Sequence, residues 1–97
     1  MKLEIEIDER ALKFLTAIPE KSRRTVKKHC LALGDDPFPG KGGDKEALHM
    51  AGFRALYRLH IGRSYTVFYR IFEEEQIVRI LEIMTIEQAH KKYGRLK

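Results

Sequence analysis

The sequence contains no tryptophan, only three prolines and a single cysteine in 97 residues. One cysteine cannot form an internal disulfide, so a bridge-stapled secreted scaffold is excluded. Cys30 falls in a helical stretch, where a buried small hydrophobe is the expected role and a reactive thiol the less common one. No stretch approaches the roughly 18 apolar residues of a membrane span. Residues 1–8 alternate charged and apolar side chains and lack the apolar run of a signal peptide. The expected compartment is therefore the cytoplasm, with no membrane partner. Four histidines (His29, His49, His60, His90) show no recognised metal-ligand spacing, so neither a metal nor another cofactor is expected.

Acidic residues are also in deficit. Fourteen Asp and Glu stand against nineteen Lys and Arg, a net charge of +5 and a pI near 9.5. That balance favours a polyanionic partner, nucleic acid or ribosome, although many small proteins are basic for solubility alone. A chain of this length has room for one domain, residues 1–97, and 43% hydrophobic residues suffice for a modest core.

What is present is ordered by period. Leu3, Ile5 and Ile7 alternate with Lys2, Glu4 and Glu6, the pattern of a half-buried strand. Asp8 offers a helix N-cap, Leu12, Leu15 and Phe14 an apolar face, and Pro19 an end. Pro19 equally opens a second helix over 20–33, with Val26, Cys30, Leu31 and Leu33 apolar and five cations between 21 and 28. Gly34 is a natural C′ residue, and Asp35-Asp36-Pro37 forbids continuation. Residues 35–46, with two prolines and three glycines, read as a loop. Three strands are then expected over 55–61, 65–72 and 77–84, with turns at Gly62-Arg63-Ser64 and Glu73-Glu74-Glu75. Thr85 and Gln88 have the spacing of a capping box for a last helix reaching about Tyr93, where Gly94 stops it. The pattern is β-α-α-β-β-β-α, an α+β fold.

That order resembles the RelE/ParE toxin superfamily. The resemblance is carried by Tyr57-Arg58-Leu59-His60-Ile61-Gly62, by Tyr65-Thr66-Val67-Phe68-Tyr69-Arg70-Ile71, by the closing strand with Tyr93, and by Asp8 to Lys13 before a helical hairpin. It implies a RelE-like antiparallel sheet packed on the hairpin, with basic residues on its other, concave face. It also implies an antitoxin protein as partner. RelE-like members resemble ribosome-dependent endoribonucleases that cut mRNA with the substrate's own 2′-hydroxyl as nucleophile. ParE-like members act instead on DNA gyrase. The free protein is expected to be a monomer.

Cleavage by 2′-OH attack requires a base, cations at the phosphorane and an acid for the 5′-oxygen. Arg58 and His60, two apart on a strand, project from one face. The resemblance makes Arg58 a phosphate ligand and His60 a base or acid, where the plainer role for His60 is a polar residue on a wet sheet face. Tyr93 matches the family's C-terminal tyrosine and would contact substrate; otherwise it covers the edge of the core. His90, one turn earlier, is a second proton-transfer candidate, although a surface histidine is the commoner outcome. Lys41, Lys45, Arg54, Arg63, Arg70, Lys91, Lys92 and Arg95 are candidate RNA or ribosome contacts, each also readable as a solvated charge. Two positions depart from the nuclease set, with Thr66 and Glu87 standing where arginines are usual. The departures keep open a non-nucleolytic protein, either a gyrase inhibitor or a degenerate toxin that only binds its antitoxin. A plain basic RNA-binding domain remains a third reading.

Overall fold

The computed structural model describes residues 2–40, 43–50 and 53–93, with residues 49, 50, 53–55 and 93 described by their backbone alone. Its elements are β1 (Glu4–Ile7), α1 (Glu9–Ala17), α2 (Glu20–Ala32), β2 (Lys45–Met50), β3 (Phe53–Ile61), β4 (Tyr65–Phe72), β5 (Ile77–Thr85) and α3 (Ile86–Tyr93). One five-stranded sheet has the order β1-β5-β4-β3-β2. Neighbours are antiparallel except β1 and β5, which run parallel, so the sheet is mixed. The α+β class and the three helices are as expected. The sheet has one strand more, because β2 begins inside the segment that reads as loop.

The hairpin forms for local reasons. Asp8 is the N-cap of α1 and its carboxylate accepts from the Arg10 N–H at 3.1 Å. Ala11 and Leu15, four apart, are the buried pair of this helix. Leu12 instead stands 48% exposed, and Leu31 of α2 56%, so the apolar stripe is narrower than the sequence suggests. Pro19 is the N-cap of α2 and offers no side-chain bond there. Arg23 does the joining: its guanidinium donates to the carbonyls of Leu15, Thr16 and Ile18 at 3.0–3.2 Å, satisfying the open end of α1.

Gly34 follows Leu33, the C-cap of α2, but its need is for space rather than a left-handed turn. A Cβ there would lie 2.7 Å from the Leu3 carbonyl oxygen. The Leu3 N–H donates to the Gly34 carbonyl at 2.7 Å, which locks the start of the chain beside the end of α2.

The hairpin covers one face of the sheet. Ala11, Leu15, Val26, Cys30 and Leu33 pack on Leu59, Ile61, Val67, Tyr69, Val78, Ile80 and Ile83. Tyr57 stacks on Tyr69 at 5.5 Å, and the buried Tyr69 hydroxyl donates to the Pro37 carbonyl at 2.7 Å. Cys30 is buried as expected, and burial pushes its thiol up to about 12. Among the described residues, no helix is long and apolar enough to cross a membrane.

Candidate active site under the C-terminal helix

Alternation on β3 sends Tyr57, Leu59 and Ile61 toward the hairpin and Leu56, Arg58 and His60 toward the opposite face. Cross-strand register extends that second face, since Arg58 lies opposite Phe68 and His60 opposite Thr66. Beyond β4, Thr66 pairs with Met84 and Phe68 with Glu82. A register shift between Phe68 and Tyr69 leaves Leu81 as the extra residue on β5. A reciprocal capping box turns the chain into α3: Thr85 N–H to Gln88 Oε1 at 3.1 Å, Gln88 N–H to Thr85 Oγ1 at 3.0 Å. α3 then lies against this face, and its Ala89 packs with Leu48, Leu56, Phe68 and Met84.

Polar groups are enclosed there. Arg58 is 7% exposed and Thr66 is fully buried. Among the described residues, Thr66 Oγ1 and Arg58 Nε have no hydrogen-bond partner, an expensive state for buried polar atoms. The guanidinium of Arg58 is not isolated, because Glu46 of β2 lies directly opposite in register and ion-pairs with it. The same Glu46 oxygen lies 3.7 Å from His60 Nε2. Burial depresses the basicity of His60 first, and the charges of Arg58 and His90 depress it further against the opposing pull of Asp44. That shift favours the neutral imidazole, the form able to accept a proton. Glu46, Arg58 and His60 form one cluster of carboxylate, cation and base, with His90 of α3 in electrostatic reach. His90 itself is exposed.

The other candidate residues divide. Arg70 is on the same face, farther from His60, with its guanidinium 5.7 Å from the Phe72 ring centroid. Arg63 stands exposed in the β3–β4 turn, at the His60 end of the strands. Lys91 and Lys92 are exposed on α3, and Lys92 ion-pairs with Glu82 at 3.0 Å. Both line a groove of about 500 Å³ with Arg10, Phe14, Ile83 and Met84. Lys45 is not brought to this face. It lies opposite Leu59, on the hairpin side, and its ammonium is held by the Asp36 carbonyl at 2.7 Å and carboxylate at 3.1 Å. Lys41 and Arg95 lie outside the described residues. Arg54 and Tyr93 fall on β3 and at the end of α3, with their side chains outside the description. Glu87, in the first turn of α3, is exposed.

Glu46 escapes sequence reasoning. It is one of fourteen acids, it follows a glycine-rich loop, and nothing in its spacing marks it. Only the pairing of β2 with β3 sets it against Arg58.

Comparison with known proteins gives this arrangement its context. Residues 5–89 match the family described as ParE toxin of the type II toxin–antitoxin system parDE. No curated protein matches the sequence. Among solved structures, the chain is similar to the archaeal RelE–RelB complex from Pyrococcus horikoshii. There the identity is 25% and the TM-score 0.72, over 88% of this chain and 96% of that one. It is also similar in fold to the RelBE2 toxin–antitoxin complex of Mycobacterium tuberculosis (19% identity, TM-score 0.75, 88% and 99% covered). The isolated RelE toxin of Escherichia coli is a third such likeness, at 20% identity and TM-score 0.67, with 94% and 98% covered.

Proposed function

The chain belongs to the ParE toxin family of type II toxin–antitoxin systems; membership leaves the target open between gyrase and mRNA, and on the chemistry of the site we propose that it is a ribosome-dependent mRNA endoribonuclease that inhibits translation. The observation that carries this reading is the cluster of a buried Arg58 with the half-buried Glu46 and His60, the imidazole's basicity lowered by burial. A protein that only occupies a surface on another protein needs no proton acceptor beside a buried cation. Cleavage of RNA by its own 2′-hydroxyl, with the 5′-oxygen leaving, uses both.

In this reading Arg58 is the phosphate ligand. It reaches the scissile phosphate when the anion replaces Glu46 as its partner, which frees the Glu46 carboxylate. His60, in its neutral form, accepts the 2′-hydroxyl proton directly or shares that role with Glu46. His90 donates to the 5′-oxygen from the α3 side, and Tyr93 contacts the substrate beside it. No step requires a metal. Arg54, Arg63, Arg70 and Lys91, with Lys41 and Arg95, supply cations along the RNA backbone, where counterion release rewards proximity rather than precise geometry. The protein works as a monomer in the cytoplasm, where ribosomes and mRNA are.

A cognate antitoxin protein restrains it. Supporting this is the groove between α1 and α3, with an apolar floor of Phe14, Ile83 and Met84 and cations Arg10 and Lys91 at its rim. That surface is complementary to a segment mixing apolar and acidic residues. A second reading, a toxin that cuts nothing and acts by binding gyrase or only its antitoxin, is favoured by Thr66 and Glu87 standing where two cations would serve the phosphorane.

Primer extension on a reporter mRNA in a cell-free translation system separates the two. Wild-type protein should produce discrete cuts only while ribosomes translate. Removing the base in His60→Gln should slow cutting by about 10²–10⁴-fold, the usual contribution of a positioned base. Arrest of growth with an uncut message would end the nuclease reading, as would a His60→Gln, Glu46→Gln double variant that cuts like wild type.

A further inference from the structure

A second cleft lies between α2 and the β3–β4 turn, on the hairpin side of the sheet. Its volume is about 460 Å³, within the range of ~300–1,000 Å³ that small-ligand sites occupy. One stripe of α2 supplies Lys21, Ser22, Thr25 and His29, and the turn supplies Ser64 and Tyr65. Among the described residues, the lining contains no carboxylate. That sets it apart from the groove beside α3, which carries Glu82, and from clefts carrying Asp8 or Asp36 and Asp44. The nearest acid along the helix, Glu20, is already engaged by Arg24 at 2.9 Å.

The polar atoms are set up for an external partner. His29 Nδ1 lies 2.9 Å from the Thr25 carbonyl, a contact that places the ring proton on Nδ1 and leaves Nε2 open. Thr25 donates its hydroxyl proton to the Lys21 carbonyl at 3.2 Å and keeps an oxygen free to accept. Lys21 is exposed on this helix, and Arg63 is exposed on the turn. Tyr65 is half-buried, in edge contact with Phe14 at 6.0 Å. Hydroxyls, an open imidazole nitrogen and an aromatic ring within a cationic rim match one nucleotide of an RNA strand. The cations take its phosphate, and the hydroxyls and ring take its ribose and base.

We infer that this cleft is a second RNA-binding site, separate from the Arg58–His60 face, which seats a nucleotide of structured or single-stranded RNA. For the identity of that RNA as ribosomal, the inference rests on the ribosome-directed reading above. The binding chemistry does not.

The test is fluorescence anisotropy of a labelled single-stranded RNA titrated with the full chain, across a range of salt. Lys21→Gln with His29→Gln is compared with Lys27→Gln, which removes the same formal charge from another part of α2. All three positions are exposed, and matching thermal melts would confirm intact folds. The double variant should bind about tenfold more weakly or worse, as expected for losing a charge-assisted hydrogen bond, with a salt slope lower by about one. Lys27→Gln should change affinity by less than about twofold, as a diffuse charge does. Equal losses in both variants, no RNA binding by wild type, or equal displacement by poly-glutamate would each overturn the inference. RNA binding that depends on Lys21 and His29, without cutting of translated message, keeps this site and removes the nuclease reading. Cutting with RNA affinity indifferent to Lys21 and His29 does the reverse.

Discussion

The two faces of the sheet are built to opposite specifications. Toward the hairpin, Val67, Tyr69, Val78 and Ile80 are fully buried, and the hydroxyl of Tyr69 is satisfied by Pro37. Toward α3, Arg58 is nearly and Thr66 fully buried, but both carry atoms without hydrogen-bond partners among the described residues. The same strands supply both faces, residue by alternate residue. Stability is concentrated on the first face. The second spends some of that stability to keep a cation and a base under a short helix, which is the usual cost of a poised site.

Truncation on the hairpin face should give the largest effect. Ile80→Ala removes a fully buried side chain and should cost about 2–5 kcal/mol, seen as a lower urea midpoint at unchanged slope. A loss below ~1 kcal/mol would mean that this face is not the main source of stability.

Next in size is the anchor of that face. In Gly34→Ala the new methyl would meet the Leu3 carbonyl at 2.7 Å, and backbone there has little freedom because Leu3 is bonded to Gly34. A loss of about 1–3 kcal/mol is expected, as for overpacking. Amide exchange should show β1 opening before the rest of the sheet. Uniform loss of protection would mean the closeness of Leu3 and Gly34 is incidental.

The α3 face should answer with the opposite sign. Thr66→Val exchanges a buried hydroxyl with no partner among the described residues for a methyl of similar shape. The change should be neutral or stabilising by up to about 1 kcal/mol in chemical denaturation. A clear destabilisation would show that Thr66 Oγ1 is satisfied in solution, and the contrast between the faces would weaken.

How much of this was readable beforehand follows the same division. Short-range signals were legible: the Asp8 cap, the Thr85–Gln88 box, the period-two runs of β3 and β4, and the nearly continuous apolar run that places β5 inside the sheet. Arg58 and His60 were legible as one face because alternation alone puts them there. β2 was not, since Lys45-Glu46-Ala47-Leu48 has no clean alternation and becomes a strand by pairing with β3. With β2 went Glu46 and the true side of Lys45, both fixed by register across strands distant in sequence. The role of Gly34 was hidden for the same reason. Its position after α2 was visible, and its closeness to Leu3 was not.

The smallest expected effect is also the most specific to the α3 face. His60 has its protonation disfavoured in the folded chain, first by burial and then by Arg58 and His90, from a usual value of 6.5. Above that value both folded and unfolded chains hold a neutral His60, and the residue has no influence on the pH dependence. As pH falls below it, the unfolded chain takes up a proton that the folded chain refuses, so stability declines. The decline ends once the folded imidazole is protonated too. Comparing urea midpoints at pH ~7.5 and ~5.5 for wild type and His60→Gln isolates this contribution from those of the other titrating groups. Wild type should lose more stability than the variant over that interval. An identical loss would mean that His60 titrates freely in solution. The carboxylate–cation–base cluster would then lack the neutral imidazole on which its chemistry depends.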